Sequence, residues 1–98
     1  MAELEWTNQA LDDIDAIAKF IAKDSLIYAK SVIKNLFRAV DKIETFPEIG
    51  RIVPELDDKN IREVISGNYR IIYRINANLL QVLTVYHSNR LLNINTDE

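Results

Sequence analysis

Three side chains in this 98-residue sequence are of the types that acid–base cleavage of a phosphodiester requires: Glu55, Arg70 and His87. A carboxylate at Glu55 can take the proton from a ribose 2′-hydroxyl, and the His87 imidazole can return one to the leaving 5′-oxygen. The Arg70 guanidinium can stabilise the charge that builds on phosphorus between them. His87 is the sole histidine, the one side chain type that titrates near neutrality unless its surroundings shift it. The competing readings are a strand-end histidine satisfied by its neighbours and an ordinary loop glutamate.

The arginines form a second candidate set. Arg70 and Arg74 are spaced to share one strand face, with Arg62 on the neighbouring strand and Arg51 in the loop before it. Guanidinium groups arrayed on an open sheet face grip phosphates or a row of carboxylates bidentately. The alternative is plain solvation of an exposed face, helped by cross-strand partners such as Glu63. Usage is skewed: five of six arginines follow residue 50, while five of six lysines precede it. Tyr69, Tyr73 and Tyr86 offer stacking surfaces for bases. Tyr69 and Tyr73 are in phase with Ile71 and Ile75, however, so core or core-rim packing is expected of them.

Other chemistries are excluded. The chain has no Cys, hence no thiol nucleophile, no disulfide and no Cys-ligated metal, and one His excludes His-paired metal motifs. There is no Gly-rich phosphate loop, Ser/His/Asp arrangement or nucleotide fingerprint. No cofactor and no metal are expected.

The elements that must position these residues follow from periodicity. Glu3-Leu4-Glu5-Trp6 alternates as a short strand with Leu4 and Trp6 on one face. Thr7 or Asn8 can cap a helix over about 8–23, striped by Leu11, Ile14, Ile17, Ala18 and Ile21. Its acids, Asp12, Asp13 and Asp15, lie off that stripe, as a solvated face or a partner surface. Asp24-Ser25 opens a second helix carrying Ala29, Val32, Ile33, Leu36, Phe37, Val40 and Ile43, ended near Thr45 by Pro47. The short break between the helices demands an antiparallel hairpin.

Residues 46–60 hold both prolines and one glycine, and a long ordered connection in a small domain is usually functional. The pattern then turns to period two. Strands are expected over Ile61–Ser66, Tyr69–Ile75 and Leu79–His87, joined by turns at Gly67-Asn68 and Asn76-Ala77-Asn78, where Gly and Asn supply positive φ. The last strand reads as apolar on both faces, Leu80, Val82 and Tyr86 against Leu79, Leu83 and Val85. The expected architecture is α+β: an N-terminal strand, then a helical hairpin covering one face of a mostly antiparallel sheet (β-α-α-β-β-β), the other face largely open, with a short C-terminal tail.

Size and charge bound the rest. The length suits one domain, residues 1–98 with a core over about 3–92, and 48% apolar residues is too many for disorder. No apolar run is long enough to span a bilayer and the start lacks a secretory pattern, so a cytoplasmic protein without membrane contact is expected. A net charge of −3 argues against a generic nucleic-acid binder. It is uneven: residues 1–50 sum to −3, whereas 59–96 sum to +4.

The ordered set Trp6-Thr7 with Ala10 and Asp12, Phe46-Pro47, Gly50-Arg51, Val53-Pro54-Glu55-Leu56, Ile61-Arg62-Glu63, Tyr69-Arg70-Ile71-Ile72-Tyr73-Arg74 and His87-Ser88-Asn89-Arg90 resembles the RelE/ParE superfamily. These are the toxins of type II toxin–antitoxin, or plasmid-stabilisation, modules. The resemblance implies a growth-inhibiting protein neutralised by a cognate antitoxin whose C-terminal segment wraps it, with DNA contacted only through that antitoxin. Activity divides within the superfamily. RelE-type members cleave mRNA in the ribosomal A site, and ParE-type members inhibit DNA gyrase and are not nucleases. Glu55, Arg70 and His87 match the Glu, Arg and His of the YoeB-like nucleases, but Ser88 stands where that branch has Tyr. The lysine pair of RelE itself has no counterpart in Leu56-Asp57-Asp58. The ending His-Ser-Asn-Arg is nearer the ParE-like His-x-Arg-Arg, with Asn89 in place of the first Arg. The favoured expectation is a ParE-like gyrase inhibitor that is not an enzyme, with Arg51, Arg62, Arg74 and Arg90 as candidate target-binding residues. A ribosome-dependent endoribonuclease using Glu55, Arg70 and His87, and a toxin scaffold without activity, are the alternatives.

Overall fold

A computed structural model describes residues 3–89. In chain order the elements are β1 (Glu3–Trp6), α1 (Asn8–Ala22), α2 (Leu26–Thr45), β2 (Arg51–Ile52), β3 (Ile61–Ser66), β4 (Tyr69–Asn76) and β5 (Leu79–His87). They form one five-stranded sheet of order β1-β5-β4-β3-β2. β1 runs parallel to β5, and every other pair is antiparallel. Two helices thus lie on a mixed sheet, as the periodicity predicts. The addition is β2, a two-residue strand inside the 46–60 connection, where two prolines and a short apolar run give no periodic signal.

Both helices start where side-chain oxygens satisfy free amides. Thr7 accepts from the Ala10 N–H and Ser25 from the Tyr28 N–H. Their apolar stripes meet the sheet in one core of Ala10, Leu36, Val40, Ile43, Ile71, Tyr73, Leu80, Val82 and Val85. Leu4 and Trp6 pack against it from β1, and Trp6 meets the Phe37 ring at 5.2 Å.

The sheet's second face is not as open as expected. Val53, Ile61, Ile72 and Tyr86 form a smaller buried cluster there, with Leu56 and Leu83 beside it. The connection after β2 folds Val53 and Leu56 back over β3 and β4, because those residues otherwise expose apolar surface.

β5 departs from simple alternation. Ile72 pairs with Thr84 but Tyr73 pairs with Val82, so Leu83 is an extra residue, a β-bulge. Leu80, Val82 and Val85 all join the helix-side core, while Tyr86 joins the cluster on the other face. The unbroken alternation expected for this strand therefore fails after Val82. Contacts from the start of α1 hold the bulge. The Thr7 hydroxyl is 3.0 and 2.8 Å from the carbonyls of Val82 and Leu83, and Asp13 Oδ2 accepts from the Thr84 hydroxyl and, at 2.9 Å, from the Val85 N–H.

The turns differ in one detail. Gly67 takes φ 58° as expected, but in the second turn Ala77, at φ 52°, is the residue in the left-handed region. No helix among the described residues is long and apolar enough to cross a membrane.

Candidate functional site

The candidate residues fall on both faces of the sheet. On β3, Ile61 and Glu63 face away from the helices, because Ile61 pairs with Arg74 and Glu63 with Ile72. Arg70 pairs with Ile65 on one side and Tyr86 on the other, so it shares that face. Arg51, opposite Glu63, reaches it from β2.

Glu63 is the centre of this arrangement. It is 2% exposed, in phase with the buried Ile61 on β3, where the sequence alone predicts a cross-strand partner on an exposed face. Arg51 donates to Oε1 from Nε at 2.6 Å, with Nη2 also at 2.5 Å, and Arg70 Nη1 approaches Oε2 at 3.4 Å. A buried carboxylate is tolerated only when paired in this way. Glu55, in the connection above, reaches Arg70 Nη1 at 4.0 Å and is about half exposed (48%). Glu55, Glu63, Arg51 and Arg70 are thus brought together, two negative groups and two positive ones.

Tyr86 completes the site, and sequence alternation did not place it there. It is 8% exposed and stands across from Arg70. Burial pushes its hydroxyl pKa up, partly offset by Arg70. The Tyr86 hydroxyl, followed by the Glu63 carboxylate, raises the Arg70 guanidinium in turn. The two lie close, yet the hydroxyl and Arg70 Nε are both shut off from solvent without a completed hydrogen bond among the described residues.

His87 is elsewhere. It pairs with Tyr69, whose ring packs against the helix-side core, and the two rings meet edge to face at 5.5 Å. Its Nδ1 accepts from the Asn89 N–H. The bulge sends Tyr86 to the Arg70 face and His87 to the helix side, so the sheet separates His87 from the Glu55–Arg70 pair.

Arg62 also leaves the expected array. It pairs with Tyr73, which is buried on the helix side, and its Nη1 donates to the carbonyls of Glu48 and Gly50 at 3.2 and 3.0 Å. Its placement anchors the connection. Tyr73 does the same from the core: its hydroxyl donates to the Pro47 carbonyl at 2.7 Å and accepts from the Gly50 N–H at 2.9 Å. Gly50 is required by space, since a Cβ there sits 2.6 Å from Tyr73 Oη and 2.7 Å from the Glu63 carbonyl. Arg74 shares the Arg70 face but sits four residues along β4 and half-buried, opposite Ile61. Arg90 lies outside the described residues, as does the apolar part of the tail.

A second feature lies on the helical side. A groove of about 460 Å³ runs between α1 and α2, floored by Ala18, Ala22, Ala29 and Ile33 and rimmed by Lys19, Lys30 and Lys34. Among the described residues no group of His, Asp or Glu side chains is placed to hold a metal.

Known proteins share this architecture. The chain is 32% identical over 92 residues to Toxin RelE2 of Caulobacter vibrioides, covering 93% of this chain and 100% of that protein. The fold matches a chain of the chromosomal ParDE toxin–antitoxin system from P. aeruginosa with a TM-score of 0.74 at 19% identity, over 89% of this chain and 96% of that one. It also matches a chain of the RelBE2 toxin–antitoxin complex from Mycobacterium tuberculosis with a TM-score of 0.55 at 19% identity, over 88% and 96% of the two chains. Residues 4–92 match the family described as the ParE toxin of the type II toxin–antitoxin system parDE. With that match over nearly the whole length, the chain belongs to the ParE toxin family of type II toxin–antitoxin systems.

Proposed function

We propose that this toxin arrests growth by binding DNA gyrase without cutting nucleic acid, and that a cognate antitoxin holds it inactive. The observation that carries the first part is the position of His87. An RNA-cleaving site needs its acid and base on either side of one phosphate, and here Glu55 and Arg70 face away from the helices while His87 pairs with Tyr69 on the helix side. The acidic overall charge supports the same reading, because phosphate contacts dominate affinity for nucleic acid.

Two observations support an antitoxin partner. The P. aeruginosa and M. tuberculosis structures are of toxin–antitoxin systems. The groove between the helices combines an apolar floor with a lysine rim, which suits an amphipathic helix with acidic flanks. Arg51 and Arg74, and Arg90 beyond the described residues, remain the candidate contacts to the target.

Induced expression without antitoxin tests this reading. The expected result is growth arrest with a DNA-damage response and continued translation, retained in His87→Ala. Immediate translation arrest that His87→Ala abolishes, or no growth defect at all, contradicts it.

A further inference from the structure

We propose that the outer face of the helical hairpin docks a second copy of this chain, with α1 of each copy lying on α2 of the other. The dimer is a state of the toxin by itself and holds whichever cellular target it acts on. An antitoxin helix in the same groove excludes the second copy, and that exclusion alone rests on the antitoxin reading.

The face is apolar along its middle. Leu11, Ala18 and Ala22 on α1 have the same spacing as Leu26, Ile33 and Phe37 on α2, seven residues and then four. At about 3.6 residues per turn each set keeps to one edge of its helix, and the two edges flank the groove. Leu11, Leu26 and Phe37 are 50, 60 and 44% exposed, and Ile27 beside them is 84% exposed. Large apolar side chains gathered on one face mark an interaction surface, and stripes of this spacing are what helical bundles bury.

Charge identifies the occupant. α1 carries Asp12 and Asp15 beside the seam, α2 carries Lys34 and Arg38, and all four are exposed. Asp15 is paired with Lys19, whereas Asp12, Lys34 and Arg38 make no ion pair among the described residues. Counted from Asp24 in the break, Asp15 and Lys34 stand nine and ten residues away, and Asp12 and Arg38 twelve and fourteen. At about 1.5 Å per residue the members of each pair are level to within about 3 Å along the antiparallel hairpin. A two-fold axis along the seam lays α1 on α2 at the same height. Asp12 and Asp15 of each copy then meet Arg38 and Lys34 of the other. A two-fold axis across the seam stacks α1 on α1 and sets like charges together, which costs stability. The face is therefore complementary to itself in one orientation, as a two-fold interface requires. Burial of the seam drives the association, and the charges select its geometry.

Sedimentation equilibrium of the full chain without antitoxin, over a dilution series, tests this directly. The expected mass rises with concentration from 11.3 kDa towards twice that value. Asp12→Lys and Arg38→Asp, each at an exposed position, are expected to weaken the dimer about tenfold or more when made singly, because each sets like charges together. The two combined reverse the pair and are expected to restore the dimer. Leu26→Ser is expected to weaken it as well, whereas Ile65→Ser, 56% exposed on the far face of the sheet, leaves it unchanged. Circular dichroism confirms that each variant is folded. A monomer at every concentration overturns the proposal, whether the groove then stays open or takes another occupant. A dimer that ignores both single charge changes or Leu26→Ser overturns it too, since another surface then makes the contact. A combined variant no tighter than either single one overturns the pairing of α1 with α2.

Discussion

Asp13 on α1 and Val85 on β5 are joined by a 2.9 Å hydrogen bond from the strand N–H to the helix carboxylate. The same Oδ2 takes the Thr84 hydroxyl, and Thr7 holds the carbonyls just before. These contacts secure the extra residue at Leu83, and the extra residue decides which of two neighbours faces Arg70. Tyr86 takes that place and His87 goes to the other side of the sheet.

Asp13→Ala leaves the Val85 N–H and the Thr84 hydroxyl without their partner. It is expected to cost about 1–3 kcal/mol, the range for an orphaned buried donor to a charged acceptor. Urea denaturation measures the loss, and the His87 ring resonances, with the Tyr69 ring 5.5 Å away, are expected to move with it. An unchanged midpoint and unchanged His87 signals contradict the role given to Asp13.

The connection before β3 depends on Tyr73. Tyr73→Phe removes a bond from the Gly50 N–H and one to the Pro47 carbonyl, and is expected to cost about 1–3 kcal/mol. Gly50→Ala is expected to cost more, since its Cβ meets the Glu63 carbonyl as well as the Tyr73 ring. Thermal melts of the two variants check the order; a smaller loss for Gly50→Ala than for Tyr73→Phe contradicts it.

Glu63→Ala strands Arg70 and frees Arg51. The expected loss is about 3 kcal/mol, the lower end for a broken buried pair, because more than half of the Arg51 side chain (59%) already meets solvent. Chemical denaturation gives the number, and a neutral result removes Glu63 from its central position.

Alkaline pH is expected to unfold the protein. Burial raises the hydroxyl pKa values of Tyr69, Tyr73 and Tyr86 above their ordinary value. The folded state then binds more protons than the unfolded state above a pH of about 10. The stability these groups contribute is complete below that value and is lost as pH rises through it. A urea midpoint flat from about pH 7 to 9 and falling beyond about pH 10 is the expected profile, with a shallower fall in Tyr73→Phe. A midpoint that rises above pH 10 contradicts it.

Much of this was legible in the sequence because it is local. Thr7 and Ser25 cap their helices, Pro47 ends the second, and the Gly67-Asn68 turn separates two alternating runs. What was not legible depends on contacts distant along the chain. The bulge rests on Thr7 and Asp13, more than seventy residues away, so strict alternation put Tyr86 with the core and left His87 free to meet Arg70. Arg62 shows the converse. Its helix-side phase follows from the strand, but its bonds to the Glu48 and Gly50 carbonyls follow from how the connection folds. Ala77 at positive φ, between two asparagines better suited to it, reflects the turn's register between Asn76 and Leu79.

The reading as a gyrase inhibitor is tested most directly with purified toxin in two parallel titrations, one of gyrase-catalysed supercoiling and one of an mRNA under active translation. The account predicts that supercoiling is inhibited in a saturable way, that added antitoxin reverses it, and that the mRNA stays intact. Cleavage of the translated mRNA with supercoiling untouched contradicts it.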